Sequence, residues 1–192
     1  MAPFACSGAS LRAVYDVPGS RYIGGMVVRS ALTPLEIRRA AAQDAVAICA
    51  VVRDSIAMLC GADYGEDPEI LASWLANKTP DNVERWIADP DNAIFVAVEA
   101  GAVDGRAVVA AACGTRSGKI LLNYVSPAAR FRGASKALVH ALEDWARLQG
   151  NARCTLDSTR TARDFYRAIG YVANGEPCSK HGVGCYPMIK PL

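Results

Sequence analysis

The chain has 192 residues, 21 Lys and Arg against 19 Asp and Glu, and is 52% hydrophobic and 21% charged. A domain takes about 150 residues, so this is one folded domain with a modest extension and not a disordered chain. A net charge of +2 is too balanced for a protein built on phosphate backbones, and no apolar run approaches the roughly 18 residues a membrane span needs.

Residues 1–33 hold Pro, Gly and Ser, no sustained period, and Asp16 as their only acid. They lack the apolar stretch of a secretory signal and fit an organelle transit peptide only loosely. We expect a flexible N-terminal extension, with Met26 as an alternative start, and a domain over 34–192.

From Leu35 the pattern becomes regular. Residues 36–40 alternate like a short strand, and Asp44 reads as an N-cap. Ile48, Val52, Ile56 and Leu59 recur at helical spacing, up to Cys60-Gly61. Asp67-Pro68-Glu69 opens a helix with Ile70, Leu71, Trp74 and Leu75 as its apolar face, and Thr79-Pro80-Asp81 opens the next. Three strands follow, at 94–99, 107–113 and 120–125, with turns at 101–105 and 116–118. That predicts an antiparallel meander. Residues 133–148 form an amphipathic helix whose inward face is Ala137, Leu138, Ala141, Leu142, Trp145 and Leu148. A strand at 154–157 leads to a helix capped by Thr161, with Asp164 as the capping-box acid and Gly170 closing it. Residues 171–173 and 186–190 are the last strands, separated by a Gly-rich loop over 174–184.

The seven cysteines, at 6, 49, 60, 113, 154, 178 and 185, are odd in number and include no CxxC. They predict reduced thiols in a cytoplasmic protein. Cys178, His181 and Cys185 make a weak metal set, and we expect no metal. Nothing near Cys60 in sequence lowers its thiol pKa, so a nucleophilic role is poorly supported.

Two segments carry chemistry. Val125-Ser126-Pro127-Ala128-Ala129-Arg130-Phe131-Arg132-Gly133-Ala134-Ser135 joins a strand to a helix. Pro127 ends the strand, Gly133 permits a tight turn, and free amides at the helix start favour an anion. Arg130 and Arg132 add charged donors, and a pyrophosphate is the natural guest. An ordinary strand–loop–helix joint with two solvated arginines is the alternative on this stretch alone. The second segment is Ala162-Arg163-Asp164-Phe165-Tyr166-Arg167-Ala168-Ile169-Gly170-Tyr171.

Together the two segments resemble the GNAT superfamily of N-acetyltransferases. The first resembles its acyl-CoA loop, V-x-P-x-x-R/Q-x-x-G-x-G/A, departing only at Ser135. The second resembles its A-x-x-F-Y-x-x-x-G-F/Y helix. The resemblance covers about residues 35–192. It implies an α/β (α+β) fold: a mixed, mostly antiparallel sheet of six to seven strands, flanked by helices and splayed between strands 4 and 5. It implies acetyl-CoA as cosubstrate and a small-molecule or peptide amine as acceptor, with direct attack in a ternary complex, and a possible homodimer; the balanced charge and short apolar runs lead us to expect no nucleic-acid or membrane partner. A catalytically degenerate acyl-CoA-binding module is the alternative.

By that resemblance the Val125 amide meets the thioester carbonyl and the oxyanion that develops there. The backbone from Arg130 through Phe131, Arg132, Gly133 and Ala134 to Ser135 holds the pyrophosphate. Thr161, Phe165 and Tyr166 also line the coenzyme site, with the Tyr166 phenol beside the departing sulfur. The fourth strand carries no carboxylate. Asn123 can orient a water, and Asp157 is a tentative base acting through water, with loss of the amine proton to solvent as the other route. Asp63, Tyr64 and Glu66, in the carboxylate-rich turn 60–67, are candidates for the acceptor amine, or else a solvated turn with Asp67 as helix cap.

Overall fold

The computed structural model describes residues 34–99, 107–180 and 182–192. The N-terminal extension, the 101–105 turn and His181 lie outside them. The strands are β1 (Glu36–Arg39), β2 (Asn92–Glu99), β3 (Ala107–Thr115), β4 (Lys119–Val125), β5 (Arg153–Ser158), β6 (Val172–Ala173), β7 (Cys178–Lys180) and β8 (Val183–Pro191). The helices are α1 (Ala45–Leu59), α2 (Gly61–Tyr64), α3 (Pro68–Leu75), α4 (Pro80–Ala88), α5 (Ala134–Leu148) and α6 (Arg163–Ala168). The sheet runs β1-β2-β3-β4-β5-β8-β6, with β7 pairing β8. Every pairing is antiparallel except β4 with β5. Among the described residues the sheet has eight strands, one more than expected, because β7 lies inside the stretch read as a Gly-rich loop.

Period-two alternation sorts the core onto two faces. In β2, Ala93 and Ala97 pack with Leu138, Leu142 and Ala146 of α5. The intervening Ile94, Val96 and Val98 pack with Ile48, Val52 and Ile56 of α1 and Val83 of α4. Small residues at Ala110 and Ala112 let α5 approach the sheet closely. Leu148, expected inside, is 75% exposed at the end of α5.

Local signals explain most boundaries. Asp67 accepts from the Glu69 and Ile70 amides, and Thr79 from Asn82, as N-caps should. Asp44 precedes α1 but does not cap it. Its carboxylate instead takes two bonds from Arg38, at 2.7 and 2.8 Å, and one from the Ala41 amide. That ties β1 to the start of α1. The expected Thr161 cap is also replaced: α6 starts at Arg163, and the Thr159 hydroxyl accepts from the Ala162 amide. Asp164 pairs with Arg167 rather than closing a capping box.

Across the other face, Glu143 of α5 is buried and bonded to the Tyr171 hydroxyl (3.0 Å) and to Lys190 of β8 (2.9 Å to each oxygen). Cys178 and Cys185, expected reduced, sit opposite each other on β7 and β8 and form a disulfide, with Cα atoms 4.9 Å apart. Among the described residues no group of three or more His, Cys, Asp or Glu could hold an ion. Among those residues, too, no helix is long and apolar enough to cross a membrane.

Candidate active site

β4 and β5 pair only at Lys119↔Thr155 and Ile120↔Leu156. Beyond that point each follows its antiparallel partner: β4 stays with β3 as far as Ala110↔Val125, and β5 stays with β8 as far as Ser158↔Tyr186. The parallel seam is therefore open beyond Ile120 and Leu156. The opening is a cleft of about 500 Å³. The Ser126 amide bonds to Val109 of β3 at 2.8 Å. Successive amides along a strand point to opposite sides, so the Val125 N–H faces the opened side.

After Val125, a single 3-10 turn at Pro127–Ala129 leads into the predicted anion loop. Phe131 (φ 61°) and Gly133 (φ 82°) are both left-handed. Such alternation turns successive amides toward one concavity, and the positive end of the α5 dipole stands directly behind it. Arg130, Phe131, Gly133, Ala134 and Ser135 all line the cleft. Arg130 is exposed, with its guanidinium 4.6 Å from the Phe131 ring centroid. Arg132 differs from the expectation. Its side chain turns away to Glu99 at the end of β2, 2.6 Å distant, so the loop offers the cleft one arginine side chain instead of two.

The opposite wall holds Thr161, Phe165 and Tyr166. Tyr166 is 6% exposed and packs edge-on against both Phe165 and Tyr171. Burial pushes its phenol up to about 12, opposed by the Asn123 amide within reach. The phenol therefore stays protonated at neutral pH. Asn123 lines the cleft on β4, and its Oδ1 is buried with no hydrogen-bond partner.

The carboxylates separate into different tasks. Asp157 Oδ2 receives both Lys119 (3.0 Å) and Lys180 (2.6 Å). The Lys180 bond, the largest cause, and the Lys119 bond hold it below the usual carboxylate range despite partial burial. A carboxylate so held is a weak proton acceptor, which argues against the tentative base. The turn 60–67 is not one acidic cluster. Asp63 is buried, and its Oδ1 accepts from the Thr161 amide at 2.9 Å, joining α2 to the cleft wall. Tyr64 is also buried, its hydroxyl donating to the Ala57 carbonyl at 3.0 Å. Glu66 is exposed, and Asp67 caps α3.

Sequence reasoning missed several wall residues. Ser55 and Cys60 come from α1 and its end, and Tyr124 from β4. The Cys60 thiol is pushed up to about 12, first by burial and then by Asp63, so it is no nucleophile. Trp74 of α3 reaches the Tyr124 hydroxyl. The Lys119–Asp157 pair joins neighbouring parallel strands, and the spacing of those residues along the chain gives no hint of it.

The family model for the acetyltransferase (GNAT) domain matches residues 62–192, well over half of the chain. The chain belongs to the GNAT family. Among solved structures, a GCN5-related N-acetyltransferase from Rhodopseudomonas palustris is 25% identical, with a TM-score of 0.70 over 81% of this chain and 94% of that one. The PaiA N-acetyltransferase from Thermoplasma acidophilum, solved with coenzyme A, is 18% identical, with a TM-score of 0.65 over 82% and 99%. A GCN5-related N-acetyltransferase from Kribbella flavida is 24% identical, with a TM-score of 0.59 over 82% and 98%. No curated protein matches. As a GNAT domain the chain is an acyltransferase, and the family implies acetyl-CoA as its donor.

Proposed function

We propose that this GNAT domain transfers an acetyl group from acetyl-CoA to a primary amine of a small molecule or peptide, by direct attack in a ternary complex. The observation that carries the reading is the convergence on one cleft of the Val125 amide side, the loop from Arg130 to Ser135 and the Tyr166 phenol. The donor set fits the coenzyme: a left-handed loop at a helix start suits a pyrophosphate, and Arg130 adds a charged partner. Acetyl-CoA, when bound, supplies an acyl group on a thiolate leaving group.

The residues then have distinct tasks. The Val125 N–H donates to the carbonyl oxygen as negative charge grows there. The Tyr166 O–H donates to the sulfur as the carbon–sulfur bond breaks. With a phenol near 12 and free thiols near ~8.5, Tyr166 stabilises the thiolate mainly as a hydrogen-bond donor, unless burial raises the thiol as well. Asn123 orients the incoming nitrogen or a water beside it. The amine loses its proton to solvent, since β4 carries no carboxylate and Asp157 is held by two lysines.

That missing base favours a second reading, an acyl-CoA-binding module without turnover. Release of free thiol from acetyl-CoA, measured with amino acids, polyamines and peptides, separates the two. Amine-dependent release supports the enzyme. Binding of acetyl-CoA with no release above background supports the module.

A further inference from the structure

A second cleft, of about 300 Å³, adjoins the first and shares Tyr124, Asp157 and Ser158 with it. Its outer walls are Trp74 of α3 and Val183 and Cys185 of the β7–β8 hairpin. Among the described residues, the charged side chains lining it are Lys119, Lys180 and Asp157, one positive charge in surplus. Both lysines converge on the same carboxylate oxygen, and their side chains remain 42% and 57% exposed. Each ammonium has three N–H donors, so both keep donors for another anion.

The inner end has the opposite character. Asn123 Oδ1 and Asp63 Oδ2 are buried acceptors with no partner. Asp63 is only 9% exposed, yet its charge acts on Cys60 and Tyr124, which line the main cleft. Unmet acceptors cost stability and call for an N–H donor. The two adjoining clefts thus differ in polarity on either side of Tyr124, with the lysines in the second, Asn123 in the first, and Asp63 buried behind the wall of the first.

We propose that the acceptor is a small amine that also bears an anionic group, its nitrogen toward Asn123 and the field of Asp63, its carboxylate or phosphate against Lys119 and Lys180. This rests on the acetyl-transfer reading above. The lysine pair selects among amines and takes no part in bond making. The hairpin carrying Lys180 is then part of the acceptor site, and its tip is seated by Gly182, where a Cβ would lie 2.9 Å from Ile70 of α3.

The test is steady-state acetyl transfer with matched acceptors: phenylalanine against phenethylamine, and O-phosphoethanolamine against ethanolamine. We expect kcat/KM to be higher by about tenfold or more for the anionic member of at least one pair, the pair that responds naming carboxylate or phosphate. In Lys119→Gln/Lys180→Gln that ratio should fall toward one, with the KM for acetyl-CoA unchanged. Lys180→Gln alone, on the exposed face of β7, should lower it in part, and Lys180→Arg should restore it. Equal or better use of the uncharged amines overturns the proposal, as does a preference untouched by the lysine substitutions. If acetyl-CoA binds by calorimetry but no amine is acetylated, the transferase reading itself fails.

Discussion

At the scale of single residues, Tyr166 and Arg130 separate chemistry from binding. The Tyr166 hydroxyl acts only as charge builds on sulfur, so Tyr166→Phe should lower kcat more than it weakens acetyl-CoA binding. Loss of a proton or hydrogen-bond donor in the transition state costs on the order of 10²-fold, less for a good leaving group. The ring contacts to Phe165 and Tyr171 survive the change, so the fold should too. Single-turnover transfer across pH checks it, and a wild-type rate would return Tyr166 to packing. Arg130→Ala and Gly133→Asp should instead weaken acetyl-CoA binding. One removes the arginine that faces the cleft, and the other places a carboxylate in a left-handed turn meant for an anion. Titration calorimetry on both variants reads this, and unchanged affinity in both would displace the pyrophosphate from the loop. Arg132→Ala should act differently, through loss of its bond to Glu99.

At the scale of elements, two ion pairs, each with a buried carboxylate and a partly exposed cation, hold the layers. Arg38, through its hydrogen bonds, depresses the Asp44 carboxyl, with the Ala41 amide adding to it and burial opposing. A depressed carboxyl contributes stability that is complete above the unfolded value of ~3.9 and is lost as pH falls through the folded one. The stability gap between wild type and Asp44→Asn should therefore be widest at neutral pH and shrink below about pH 4. Urea midpoints at pH 7 and pH 3 measure it. On the opposite face, Lys190→Met leaves Glu143 buried without its cation and should cost about 3–5 kcal/mol, read from the same midpoints. These pairs mark what the sequence could and could not show. The order of helices and strands was legible because caps such as Asp67 and Thr79, and the alternation in β2, are local. The cleft's two key segments were legible because each is continuous in the chain. The Arg132 side chain was expected in the cleft because its partner, Glu99, lies on β2, far from it in sequence. Asp63 and Glu66 looked alike in sequence, and only tertiary packing buries one and exposes the other. The β7 strand was hidden because a three-residue strand in a Gly-rich stretch has too few alternations to stand out.

At the scale of the whole molecule, the cleft belongs to neither half of the sheet. Val125 and the anion loop precede the α5 crossover, and Tyr166 follows it. The sheet is joined between those halves by the two β4–β5 register pairs alone. Yet the layer beneath α5 is shared: Ala110 and Leu138 from the first half pack in one cluster with Leu156, Tyr166, Tyr171 and Met188 from the second. The three tryptophans, Trp74, Trp86 and Trp145, all lie before β5. Trp86 reports on the first half, and Trp74 and Trp145 on faces that α3 and α5 share with the second, whereas loss of coenzyme affinity watches the seam between the two. Because the shared layer makes each half expose apolar surface if the other departs, we expect one cooperative transition. Urea titrations followed by tryptophan emission and by acetyl-CoA binding, extrapolated to zero ligand, should have coincident midpoints. An earlier loss of binding would mean that the second half peels away first, and that the two-rung seam, and not the common layer, governs how this protein comes apart.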